Sequence, residues 1–132
     1  MQAEKTIGGN IIFKTNENGK PFIENGDNFH FNISHTKNAF AVAVSDEAVG
    51  IDIEKIRPID YTKLNKFIDF NTENENDFFE IWTKKEASVK RDGKAIKDLK
   101  TAEIKNTEAF NLGDYILSVA FNNKDDIQLI KI

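Results

Sequence analysis

Residues 39–54 read AFAVAVSDEAVGIDIE. Two apolar stretches, 39–44 and 49–53, flank the polar segment 45–48, a pattern that predicts two adjacent strands joined by a hairpin turn. Residues two apart share a face of a strand. Ile51 and Ile53 therefore point one way and read as core, while Asp52 and Glu54 point the other way. Toward the N-terminus, 10–14 (NIIFK) and 29–33 read as extended, and 16–21 (NENGKP) reads as a turn. Toward the C-terminus, Pro58 stops the sheet. A helix is predicted over 61–70, with Tyr61, Leu64, Phe67 and Ile68 at helical spacing, and 71–76 is a polar break. A second helix is predicted over 77–91, carrying Phe78, Phe79, Trp82 and Val89, with Gly93 as its stop signal. Strands are expected near 101–104, 115–121 and 127–132. Strands, two helices and strands again predict an α+β fold, an antiparallel sheet packed against two helices in one domain over 1–132. The segments HTKNAFAVAVSD and LGDYILSVAFNN also echo each other: polar, aromatic, alternating apolar, polar.

The bulk properties exclude several classes. The chain has 132 residues, 39% of them hydrophobic and 11 of them Phe, enough for a core rather than a disordered segment. A net charge of −4 argues against nucleic acid as a partner, which would need a basic face. It leaves room for an anionic small molecule held by local lysines. With no Cys there is no disulfide, zinc-thiolate site or thiol nucleophile. No apolar run approaches the roughly 18 residues of a membrane helix. The opening MQAEKTIGGN does not read as a signal peptide, so a cytoplasmic protein with no membrane partner is the expectation.

Three clusters of residues carry chemistry. Asp52 and Glu54, side by side on a strand, repel each other unless protonated, solvated or bridged by a cation. A solvated edge and a metal site are both open at this point. The stretch WTKKEASVK over 82–90 places Glu86 and Lys90 four apart on a helix. On a surface helix such a pair contributes only about 0.3 kcal/mol. Trp82 one turn earlier suggests that this side packs inward. Glu86 would then complete the hard oxygen set that Mg²⁺ prefers. Finally, Ser34-His35-Thr36 follows an extended stretch and offers three donors, which suit a phosphate as well as an ordinary hydrogen-bonded turn. Lys20, on the turn Gly19-Lys20-Pro21, is either a plain exposed lysine or part of the same site.

In this order the pieces resemble the 4'-phosphopantetheinyl transferase superfamily. The stretch from NIIFK at 10–14 to IRPID at 56–60 is similar to its longer, surfactin-synthetase-activating branch, and FFEIWTKKEASVKRDGKAI over 78–96 is similar to that branch's signature W-x-x-K-E-A-x-x-K-x-x-G. The resemblance implies transfer of 4'-phosphopantetheine from coenzyme A to a serine of an acyl or peptidyl carrier protein. Release of 3',5'-adenosine bisphosphate would accompany the transfer. It implies that Asp52, Glu54 and Glu86 bind Mg²⁺, and that Ser34 and His35 meet the 3'-phosphate of coenzyme A. Lys20, Lys85 and Lys90 would meet its other phosphates, with Lys90 also steadying the leaving phosphate. Glu86 is the expected base toward the carrier serine, directly or through a metal-bound water.

One departure from the family shapes the expectations. Members of the longer branch are pseudo-dimers with the site between two similar halves, and here only about eighteen residues precede the Gly-Lys-Pro turn, against a whole further segment in that branch. The short branch, holo-acyl-carrier-protein synthase, matches this length but places its Ser-His strand after the Lys-Glu-Ala helix. A homodimer in which a neighbour completes the coenzyme A pocket is therefore expected. The echo would mark equivalent strands of two halves. The alternatives are a truncated, non-catalytic relative that binds coenzyme A or a carrier protein, a hydrolase using the same carboxylates, and an interaction module without chemistry.

Overall fold

In the computed structural model, residues 13–18, 21–23 and 30–123 are described. The element order is β1 (Phe13–Thr15), β2 (Pro21–Ile23), β3 (His30–Thr36), β4 (Ala39–Ser45), β5 (Gly50–Lys55), α1 (Tyr61–Ile68) and α2 (Glu75–Arg91). A short 3-10 turn (Ile96–Asp98), β6 (Thr107–Asn111) and β7 (Tyr115–Ala120) follow. All pairings are antiparallel: β1 with β2, β3 with β4, and a three-stranded sheet in the order β5-β7-β6. This is the expected α+β architecture, antiparallel sheet against two helices. No helix among the described residues is long and apolar enough to cross a membrane.

Helix α2 is fixed at both ends by its sequence. Asn74 caps it by accepting the Asp77 N–H at 2.8 Å, and Glu75 and Asp77 put acidic charge in the first turn while Lys90 and Arg91 put basic charge in the last. Beyond it Gly93 takes a φ of 68°, which a side chain would resist. The Gly93 carbonyl is taken by the side-chain amides of Asn16 and Asn18, at 3.3 and 2.7 Å, so the turn after β1 docks on this helix end. Helix α1 is capped by Asp60 and ends at Asp69, which takes the left-handed φ of 55°.

The core lies on both sides of β5 and β7. Phe78 and Phe79 of α2 pack with Ile68 of α1 and Ile116 of β7, joined by Ile56, Leu64 and Trp82. On the other side Ile51, Ile53 and Leu117 pack against Ala39, Ala41 and Ala43 of β4. The two isoleucines are thus core, as the strand parity requires.

Two expectations are corrected. The segment 45–48 is not a hairpin turn between adjacent strands. β4 pairs instead with β3, from Thr36↔Ala39 to His30↔Ser45, around a tight turn in which Asn38 adopts a φ of 61°. β4 lays its alanine face on β5 rather than pairing edge to edge, because the β5 N–H groups of Ile51 and Ile53 are taken by the side chains of Asn32 and Ser34 on β3. Residues 101–104 are not a strand either. The 3-10 turn and the buried Leu99 hold that stretch near α2, and the strand starts only after Asn106, at Thr107. Of the strand expected over 10–14, residues 13 and 14 lie in β1, and of that over 29–33, residues 30–33 lie in β3; the remainder of both, and the strand expected over 127–132, fall outside the described residues.

Candidate functional site

The site grows from one close approach. A Cβ built on Gly50 would lie 1.9 Å from the Ala87 carbonyl oxygen and 2.6 Å from the Arg91 nitrogen. Only glycine at the head of β5, opposite the fully buried Ala87, lets strand and helix come this near. The approach sets the Asp52 and Glu54 face of β5 against the Glu86 and Lys90 face of α2.

Asp52 is buried, 6% exposed, so the solvated-edge alternative is excluded for it. Its Oδ1 accepts the Ser34 hydroxyl at 3.2 Å and lies 3.7 Å from the Lys90 ammonium. Its Oδ2 is buried without a hydrogen-bond partner, the one such side-chain atom among the described residues. Burial above all pushes the Asp52 pKa up to about 8; Lys90 works against it, while the charges of Glu86 and Glu54 add to it. Glu86 is also held above the usual carboxylate range, first by burial and then by Glu54, with Lys90 opposing. The three carboxylates therefore feel one another, and a single lysine does not neutralise them.

Lys90 spans the seam between β3 and β5. Its ammonium donates to the Ile51 carbonyl at 2.9 Å and to the Ile33 carbonyl at 3.4 Å, while its side chain stays 28% exposed. Glu54 is steered by Arg57, whose Nη1 donates to Oε2 at 3.1 Å while the guanidinium lies 4.8 Å over the Phe79 ring. Gly50 has no expected role from sequence, and Arg57 is expected only as one of several cations, with Lys5 and Lys14, near the coenzyme A pocket rather than as the partner of Glu54. A glycine facing a small helix residue, and a cation three residues beyond a site carboxylate, were the available signals.

The remaining expected residues divide. Ser34 faces Asp52, whereas His35, next along β3, is exposed on the opposite face beside Phe40 of β4. Lys85 is buried, 3% exposed; its ammonium donates to the Lys100 carbonyl at 2.6 Å and lies 5.4 Å over the Phe70 ring, so it is not brought to Asp52. Burial lowers its pKa, with Asp69 opposing. Lys20 lies outside the described residues.

As they stand, no three His, Cys, Asp or Glu among the described residues are drawn together closely enough to hold a metal ion. The donor set still fits one. Carboxylate oxygens suit a hard divalent cation. The unpartnered Asp52 Oδ2 and the raised carboxyl pKa values are what an uncompensated cation site presents. Beside Glu54 and Arg57 opens a largely apolar cleft of about 580 Å³, lined also by Leu64, Phe67, Trp82 and Leu99. A second hollow of about 670 Å³, at Lys84, Asn106 and Phe121, contains none of the carboxylates of the site.

Comparison with known proteins decides the family resemblance. The chain is 41% identical over 98 residues to the 4'-phosphopantetheinyl transferase psf-1 of Bacillus pumilus, a match covering 65% of the chain and 41% of that relative. Over that stretch the chain is similar to a 4'-phosphopantetheinyl transferase. It is also 40% identical over 97 residues to the transferase gsp of Aneurinibacillus migulanus, covering 66% of the chain and 40% of gsp. To the transferase Sfp of Bacillus subtilis strain 168 it is 33% identical over 96 residues, covering 65% of the chain and 43% of Sfp. The chain thus spans only 40 to 43% of the length of these phosphopantetheinyl transferases. No family model matches it.

Proposed function

We propose that this protein is a 4'-phosphopantetheinyl transferase, moving the phosphopantetheine arm of coenzyme A to a serine of an acyl or peptidyl carrier protein. The observation that carries the reading is the meeting of Asp52, Glu54, Glu86 and Lys90 where β5 touches α2, with one buried Asp52 oxygen left without a partner. Asp52, Glu54 and Glu86 are the residues that would hold Mg²⁺. When bound, the ion supplies neutralisation of the negative charge on the coenzyme A pyrophosphate.

The chain's own groups do the rest. The Glu86 carboxylate, made more basic by its burial, takes the proton of the carrier serine. The serine oxygen bonds to the β-phosphorus, and the bond from that phosphorus to the bridging oxygen breaks. The electron pair leaves with 3',5'-adenosine bisphosphate. Lys90, partly exposed beside Asp52, faces the charge that develops on the leaving phosphate. His35 and Lys20 bind the phosphates of coenzyme A. The apolar cleft beside Glu54 suits the carrier protein, whose serine must arrive close to the carboxylates.

Incubating the protein with coenzyme A, Mg²⁺ and a panel of apo carrier proteins, followed by intact-protein mass spectrometry, tests this. The expected result is a mass gain of one phosphopantetheine on a carrier, lost on adding EDTA and lost in Glu86→Gln and Lys90→Ala. A panel left unmodified, with coenzyme A bound all the same, would favour the second reading, a non-catalytic coenzyme A-binding relative.

A further inference from the structure

Asn32 and Ser34 stand two apart on β3 with their side chains turned inward, 2% and 5% exposed. Each accepts a backbone N–H of β5, Asn32 Oδ1 from Ile51 at 2.8 Å and Ser34 Oγ from Ile53 at 3.0 Å. These two bonds join sheets whose strands do not pair through their backbones. The Ser34 hydroxyl has a proton left to donate, and Asp52 Oδ1 receives it at 3.2 Å. A buried hydroxyl with its donor and an acceptor position both engaged is not available to a ligand phosphate.

We propose that Ser34 is a positioning residue for Asp52: it pins Oδ1, so that Oδ2, buried and unpartnered, is the oxygen presented to a hard divalent cation. The proposal rests on reading the carboxylates as a cation site. It gives β3 two separate tasks: Ser34 orients the cation ligand from the inner face, and phosphate recognition falls to the exposed His35 on the outer face. A hydroxyl behind a metal-ligating carboxylate sets the direction of its lone pairs, and loss of such a partner costs about 10- to 100-fold in metal affinity.

The test uses Mn²⁺ as the probe, with free ion measured by electron paramagnetic resonance on the protein alone, beside calorimetric titration of coenzyme A and dephospho-coenzyme A. Ser34→Ala should weaken Mn²⁺ binding by about tenfold, and Ser34→Thr should restore most of it. Asn32→Ala removes the matching bond to β5 without touching Asp52, and should leave Mn²⁺ affinity within about twofold. The preference for coenzyme A over dephospho-coenzyme A should survive in Ser34→Ala. If Ser34→Ala does not fold, Ser34→Cys, close in volume and weaker as a donor, is read in the same way. Unchanged Mn²⁺ affinity in a folded Ser34→Ala, an equal loss in Asn32→Ala, or loss of the coenzyme A preference would each overturn the proposal. Failure of the wild type to bind Mn²⁺ would remove it together with the cation site. Mn²⁺ binding that depends on Ser34, in a protein that modifies no carrier, would sink the transferase reading and leave this one standing.

Discussion

Asp52 is buried on the face of β5 that meets α2, while Ile51 and Ile53 pack on the other. Strand parity alone put it on the face opposite Ile51 and Ile53, and that holds because the two-residue repeat is local. Parity could not say that this face is buried, since burial comes from α2, some thirty residues further on. The burial has a measurable consequence. In the unfolded chain the carboxyl titrates at its ordinary 3.8, whereas in the folded protein burial above all, opposed by Lys90 and Ser34 and aided by Glu86 and Glu54, lifts it to about 8. Between these values the folded state holds a proton that the unfolded state has released. Its contribution to stability is therefore full below the lower value and lost as the pH rises through the upper one, and Glu86 acts in the same direction. The cation-free protein in EDTA should melt at a lower temperature at about pH 8.5 than at about pH 5. Asp52→Asn, which cannot ionise, should flatten most of that slope. A wild type that melts higher at the alkaline end would contradict the burial of this carboxyl. Asp52→Asn should also abolish transfer while the protein stays folded, as checked by circular dichroism beside the mass assay.

The contact between β5 and α2 holds the site together, and Gly50 permits it. Gly50→Ala drives a methyl into the Ala87 carbonyl and the Arg91 nitrogen, both backbone atoms that cannot step aside. It should cost about 3 kcal/mol or more in urea denaturation and, by parting Asp52 from Lys90, weaken transfer beyond what instability explains. A variant within about 0.5 kcal/mol of wild type would mean that strand and helix stand further apart. The two helices were legible because each carries apolar residues at helical spacing and is followed by a break, the polar 71–76 segment or Gly93. Strand partners were not. The 45–48 segment looked like a hairpin because it is polar and short, yet the turn that pairs β4 is at Asn38, and β5 finds β7 more than sixty residues away. β6 (TEAFN) was missed because it has little apolar alternation of its own and is specified by pairing with β7. The echo between 35–46 and 112–123 proves to be one of position: β4 and β7 each close an antiparallel hairpin. β7, however, is central and mostly buried, while β4 alternates between partly buried and exposed residues.

At the scale of the molecule, β4 turns its alanines inward and its large residues outward. Phe40, Val42 and Val44 are 75, 50 and 59% exposed, and Ile33 beside them on β3 is 44% exposed. A contiguous apolar face of this kind is uncommon on an isolated chain, and His35 lies on it. The protein is expected to self-associate through this face as a symmetric dimer, bringing a second copy to His35. Light scattering over a dilution series should show a dimer that Val42→Asp disperses, with coenzyme A affinity falling alongside. A monomer at every concentration, with full affinity, would show that one chain suffices. The proposed transfer requires a Mg²⁺-dependent coenzyme A site at the β5–α2 contact. Calorimetric titration of coenzyme A into wild type and Asp52→Asn, each with Mg²⁺ and with EDTA, tests that claim most directly. Binding to the wild type should tighten at least about tenfold with Mg²⁺, and the variant should show no such gain. Equal affinities in all four titrations would contradict it.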